Sequence, residues 1–258
     1  MINVLIMETI VIMIYMTAWF LIAQALRRND VADIAWGTGF IVTAITAMIL
    51  SDAVPPRGFL AFFLVVLWGL RLATHIYMRN RGKPEDRRYR TWREQWGRHA
   101  VIRAFLQVFM LQGLLMIIIS LPVTFIITFG QNPFGIFDAL GVCIWITGFI
   151  FEAVGDYQVV QFKRAPAHKG KLMTQGLWTY TRHPNYFGEV TLWWGMYLIA
   201  LSVPQGWASI LGPLTITFLI LKVSGIPLLE EKYKDNPEFQ AYKRRTSAFF
   251  PLPPGKET

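Results

Sequence analysis

Seven runs of apolar residues divide the chain: 2–24, 31–50, 57–78, 101–128, 136–158, 186–203 and 206–223. A helix needs about 20 predominantly apolar residues to cross a hydrocarbon core. Each run is therefore a predicted membrane-spanning helix, and the fold class is all-α and polytopic. The segment SVPQG is the turn between the last two runs. The first run is set apart by Glu8, which sits inside it.

The polar connections alternate in charge. RRND follows the first run, RNRGKPEDRRYRTWREQWGRH the third, FKRAPAHKGK the fifth, and EKYKDNPEFQAYKRRT the seventh. The intervening connections, SDAVPPR, FGQNPFG and SVPQG, hold only Arg57. Lys and Arg collect on cytoplasmic loops, so the N-terminus is expected outside and the C-terminus in the cytoplasm. An odd number of spans agrees with that orientation. One integral membrane domain over 1–258 is expected. Residues 1–99 hold spans one to three and a basic loop, and 100–258 hold spans four to seven and the tail.

Composition supports the same class. Hydrophobic residues make up 54% of the 258 and charged residues 16%, where a soluble domain carries about a quarter charged. The net charge of +9 does not indicate nucleic acid, because the cations lie on alternate connections. The one cysteine, Cys143, excludes an intramolecular disulfide and a cysteine-cluster metal site. It lies in an apolar run and is expected to be an inert buried thiol. No cleavable signal peptide is expected, since no basic region precedes the long first run.

Charged groups within a span are costly. Asp33, Arg71, Glu152, Asp156 and Glu189 all fall in the cytoplasmic halves of their spans. Three explanations stand: snorkelling to the interface, structural ion pairing, or a polar cavity open to the cytoplasm. The five groups at one depth favour the cavity. Two basic segments flank it, NRGKP (80–84) and KRAPAHKGK (163–171). They serve as ordinary positive-inside charge or as a cradle for a phosphorylated cofactor. The chain has no GxGxxG and no GxxxxGK[ST], so neither a Rossmann domain nor a P-loop holds a nucleotide here.

The segments GDYQVVQFK (155–163), GLWTYTRHPNYFGE (176–189) and LLEEKYKDNPEFQAYKRRTSAFFP (228–251), with DVADIAWG (30–37) and NRGKP, resemble the steroid 5-alpha-reductase family, in particular its bacterial branch. Isoprenylcysteine carboxyl methyltransferases and phospholipid methyltransferases look similar around RHPxYxG. The reductase resemblance implies seven helices and NADPH-dependent reduction of a carbon–carbon double bond conjugated to a ketone, in a lipid-like substrate. It places Asn185 and Glu189 at cofactor and active-site positions. Asp156 falls on a cofactor-contacting aspartate, and Arg81 and Lys83 on a basic pair near the cofactor phosphates. Lys163 stands where animal relatives have arginine. Those relatives hold the substrate carbonyl with a span-three tyrosine and a span-two glutamate. Span three here lacks that tyrosine, and Asp33 stands in for the glutamate.

On this reading a carboxyl in an apolar pocket stays protonated and donates to the developing enolate; Glu189 and Asp33 are the catalytic candidates. The Asn185 amide meets the nicotinamide carboxamide. Arg81, Lys83, Lys163, Lys171 and Arg182 hold the phosphates. His183 pairs with phosphate or caps the helix start. Glu230, Glu231 and Tyr242 form a lid over the cofactor or a solvated amphipathic helix. The substrate is drawn from the bilayer, lipids are the surroundings, no nucleic acid is bound, no metal is required, and the expected form is a monomer in a bacterial inner membrane. The alternative is an S-adenosylmethionine-dependent membrane methyltransferase, whose relatives carry an apolar or aromatic residue at the position of Glu189. A transporter is a third class, which would place polar residues in the outer half of the bilayer.

Overall fold

The computed structural model describes residues 1–255. Among them there is no strand; the only bridge pairs Thr181 with Ser247. The chain divides into two compact units, Met1–Phe134 with Ala200–Gly212, and Gly135–Ile199 with Pro213–Thr258.

In the first unit, α1 is Ile2–Leu26, α2 is Ala32–Leu50 and α3 is Pro56–Asn80. Helix α1 stops where Arg27 turns left-handed, at φ 53°. Helix α3 begins with Pro56 at its first turn, where a missing N–H costs nothing. Glu8 explains how the first apolar run tolerates a carboxylate. It is fully buried, and the Thr124 hydroxyl lies 2.9 Å and 3.2 Å from its two oxygens.

The connection after α3, expected as a basic loop, contains a helix, α4, Arg87–Trp96. The Asp86 carboxylate accepts the Arg88 amide at its N-terminus, an N-cap in the usual sense. Apolar periodicity missed it because five of its ten residues are arginine or glutamate flanking an aromatic stripe. Tyr89 packs edge-on against Trp92 at 5.4 Å, and Trp92 stacks on Trp96 at 5.9 Å. The helix ends at Gly97, whose φ of 49° lies where a side chain is disfavoured. A short 3-10 turn leads into α5, Ala100–Arg103, then a π-helical stretch, then α6, Leu111–Phe129.

In the second unit, α7 is Ile136–Arg164 and α8 is Pro184–Ala200. At 1.5 Å per residue α7 is about 44 Å long, against a hydrocarbon core of about 30 Å. Its last turns therefore leave the core, and Asp156 sits near that exit. A heptad-spaced glycine ladder joins the two helices. A Cβ on Gly148 would meet Leu192 N at 2.4 Å and Gly188 O at 2.6 Å; one on Gly188 would meet Glu152 N at 2.4 Å. Small residues let helix backbones approach closely in membranes. The chain continues through α9, Leu211–Phe218, a π turn, α10, Ile226–Glu231, and α11, Pro237–Arg245. Asn236 caps α11 by accepting the Phe239 amide at 3.2 Å.

Six helical runs are long and apolar enough to cross a membrane: Ile2–Leu26, Asn29–Leu50, Pro56–Asn80, Arg87–Phe129, Ile136–Arg164 and Gly206–Glu231. The remaining expected span corresponds to α8, which has 17 residues and a length of about 25 Å. Cys143, expected to be buried, is exposed on α7. An apolar run does not say which side of a spanning helix faces its neighbours.

Candidate functional site

Each unit gathers its own polar constellation. In the first, Asp33 opens α2. Its Oδ1 accepts the Tyr89 hydroxyl at 2.5 Å and its Oδ2 accepts Arg88 Nη2 at 3.0 Å. Arg79 stands 3.9 Å away. The apolar pocket expected for Asp33 is therefore absent: both of its oxygens are engaged, one by a cation. Tyr89 is the residue that sequence reasoning missed. It lies on α4, in the connection read as a loop, and it is buried.

Arg81 and Lys83 are exposed on the connection between α3 and α4. That connection is pinned at both ends. Arg28 makes a two-bond pair with Asp30 at 2.7 Å per contact and donates to Lys83 O at 3.3 Å. Asp30 also accepts the Asp86 amide at 3.0 Å. Glu85 accepts the Asn29 amide at 2.6 Å and Arg93 Nη2 at 2.7 Å. The basic pair is thus presented on a tethered loop. The contacts that tie Asp30 to the Asp86 amide and Glu85 to the Asn29 amide were invisible in the sequence because each joins residues 56 positions apart.

In the second unit, Asn185 and Glu189 lie on the first turns of α8, four residues apart and so on one helix face. The Asn185 backbone lies against α7: a Cβ on Gly155 would be 3.2 Å from its nitrogen. This close approach sets Asn185 Nδ2 3.2 Å from Asp156 Oδ1, to which it donates. Asn185 Oδ1 is sealed from solvent and has no hydrogen-bond partner. A buried acceptor without a donor is costly. The amide is thus oriented by Asp156 and keeps one acceptor for an incoming N–H.

The 174–183 segment is held from both directions. Helix α7 holds it through Trp178 Nε1 to Gly155 O, 3.1 Å, and Leu177 N to Gln158 Oε1, 3.0 Å. The tail holds it through Arg182. That buried guanidinium donates to Glu230 Oε1 at 2.9 Å and 2.6 Å, to Lys243 O at 3.3 Å, and to Thr246 O. Glu230 also accepts Lys243 Nζ at 2.8 Å and stands 3.3 Å from His183 Nε2. The Tyr242 hydroxyl donates to Trp178 O; burial pushes its phenol pKa up, so it remains a donor. Burial likewise pushes the His183 imidazole down, and the adjacent Arg182 charge adds to this against the pull of Glu230.

Arg182, His183, Glu230 and Tyr242 are thus brought together, but their contacts run to one another and to the backbone. The tail folds back onto the 174–183 segment through these contacts. Lys163 and Lys171 are exposed beyond it, near the end of α7. Among the described residues no cluster of His, Cys, Asp and Glu could hold a metal ion.

An all-helical chain with six such apolar helices is an integral, polytopic membrane protein. Residues 19–246 match the family described as "Protein of unknown function (DUF1295)", and the chain belongs to that family, a steroid 5-alpha-reductase-like one. It is 33% identical over 104 residues to the Bos taurus protein named 3-oxo-5-alpha-steroid 4-dehydrogenase 1, covering 39% of this chain and 38% of that one. It is 23% identical over 249 residues to an uncharacterised protein of Schizosaccharomyces pombe, covering 84% of this chain and 66% of that one. The chain therefore spans less than two thirds of the length of either relative. No solved structure matches it significantly.

Proposed function

We propose that this protein is a membrane reductase that uses NADPH to reduce a carbon–carbon double bond conjugated to a ketone in a lipid-soluble substrate. Membership of a reductase-like family supports the reaction class. The observation that carries the cofactor assignment is Asn185: its Oδ1 is buried and unpartnered while Asp156 holds its Nδ2. A nicotinamide carboxamide offers the N–H that this acceptor lacks. The residues present therefore fit the cofactor. Lys163 and Lys171, with Arg81 and Lys83, are the exposed cations assigned to phosphate.

When bound, the reduced nicotinamide supplies hydride to the β carbon of the enone. Asn185 orients the ring. Glu189, one helical turn further along the same face of α8, is assigned to protonate the product as enolate charge develops. A seventh crossing is assigned to α8, which a bilayer accommodates by local thinning.

The test is binding by purified protein in detergent, NADPH against S-adenosylmethionine. NADPH is expected to bind, and Asn185→Ala to weaken it about 10- to 100-fold, the loss of a hydrogen bond at a buried acceptor. Binding of S-adenosylmethionine alone makes the protein a methyltransferase. In the same preparation Glu189→Gln should lower turnover of a model enone about 100-fold, the scale of one general acid, at unchanged NADPH affinity. Unchanged turnover would remove Glu189 from the chemistry.

A further inference from the structure

The arginines of the segment from α4 into α5 fall into two groups. Arg88 and Arg93 turn inward and pair with Asp33 and Glu85. Arg87, Arg90, Arg98 and Arg103 are exposed, and none of them has a carboxylate partner among the described residues. Arg98 contacts only the ring of His99, at 3.1 Å. The single exposed acid over the same stretch is Glu94. Four unpaired cations against one acid is more than the fold itself uses.

The position of these cations relative to a bilayer follows from their neighbours. Trp92 and Trp96 are half-buried and stacked, as expected of aromatic side chains at a membrane interface. Val101 and Ile102, at 57% and 52% exposure, begin the apolar surface of the next spanning run. The cations thus bracket the point where hydrocarbon gives way to headgroups. Basic clusters of four or more at that level attract anionic lipid.

We infer that Arg87, Arg90, Arg98 and Arg103 form a docking surface for the phosphates of anionic phospholipid headgroups. Guanidinium forks suit phosphate oxygens. The inference is independent of the reductase assignment, since none of the four residues belongs to either polar constellation.

Wild-type protein is placed in nanodiscs of equal parts phosphatidylcholine and phosphatidylglycerol, and the lipid it retains on release is counted by native mass spectrometry. Phosphatidylglycerol should be retained in excess, with the excess falling as salt is raised. The variant Arg87→Gln/Arg90→Gln/Arg98→Gln should lose that excess, at about fivefold per cation removed. The matching lysine variant should keep most of it. No preference for phosphatidylglycerol in the wild type overturns the inference, and this arm does not depend on any variant folding. So does displacement of the lipid by millimolar inorganic phosphate, which would mark a site for a free anion, or retention of the excess by the glutamine variant.

Discussion

Replacing Arg182 by methionine is expected to release the C-terminal tail from the 174–183 segment. The guanidinium makes two contacts to Glu230 and two to backbone carbonyls, and it is 6% exposed. Removing one partner of a buried pair costs about 3–5 kcal/mol, because the other charge is left behind. Here Lys243 stays beside Glu230, which places the effect at the lower end, about 3 kcal/mol. The loss falls on the tail, since the glycine-lined approach of α7 to α8 does not use Arg182, while Phe249 and Phe250 still pack on Phe187 of α8. Limited proteolysis should therefore cut after residue 226 roughly 100-fold faster, with the spanning helices intact. Adding Glu230→Gln should recover part of the loss, and a double-mutant cycle gives the coupling. Equal protease resistance in wild type and Arg182→Met would show that the tail is held by other means.

The same lock has a pH dependence of known sign. The His183 imidazole is neutral in the docked tail because burial, reinforced by Arg182, lowers its pKa. In the undocked chain its value is about 6.5. Between those values the undocked state binds more protons, so docking strengthens as pH rises. The contribution is complete above about pH 6.5 and is lost as pH falls through the docked value. The groups facing the imidazole are Arg182 and Glu230, with Lys243 behind the carboxylate and the Tyr186 ring stacked on the imidazole at 5.6 Å. Hydrogen exchange of 226–255 should accelerate on acidification in wild type, and His183→Gln should flatten that response.

The second large effect belongs to the glycine ladder. Gly188→Leu is expected to prevent folding of the second unit. The first added carbon alone would sit 2.4 Å from Glu152 N and 2.5 Å from Gly148 O. Overpacking a core costs about 1–3 kcal/mol when side chains can move aside. Here the obstacles are backbone atoms of a helix, so the helices must separate and lose their contact along the ladder. Gly135→Ser is the control: Gly135 has open space around it and extended φ of −137° at the N-cap of α7, where serine is favoured. Size-exclusion profiles in detergent should show monodisperse protein for Gly135→Ser and aggregate for Gly188→Leu. A Gly188→Leu protein with wild-type Tm would refute the close approach.

The apolar runs by themselves determined the helical class, and six of the seven expected spans correspond to helices long and apolar enough to cross a membrane, because burying twenty consecutive apolar residues in lipid leaves a chain few alternatives. The turn before residue 206 was equally local. Asn185, Glu189 and Asp156 could be named from motif and depth. What only the tertiary structure decided is which group each polar residue meets. Tyr89 reached Asp33 from a helix that periodicity read as a loop, since five charged residues masked its aromatic stripe. Arg182 turned from a cation offered to phosphate into the anchor of the tail, because Glu230 and two carbonyls lie 48 to 64 residues away in sequence. Cys143 turned outward, because hydropathy marks a residue as apolar without saying whether lipid or protein covers it. Contacts across such separations depend on how helices rotate and approach, and here glycine-sized gaps set that approach.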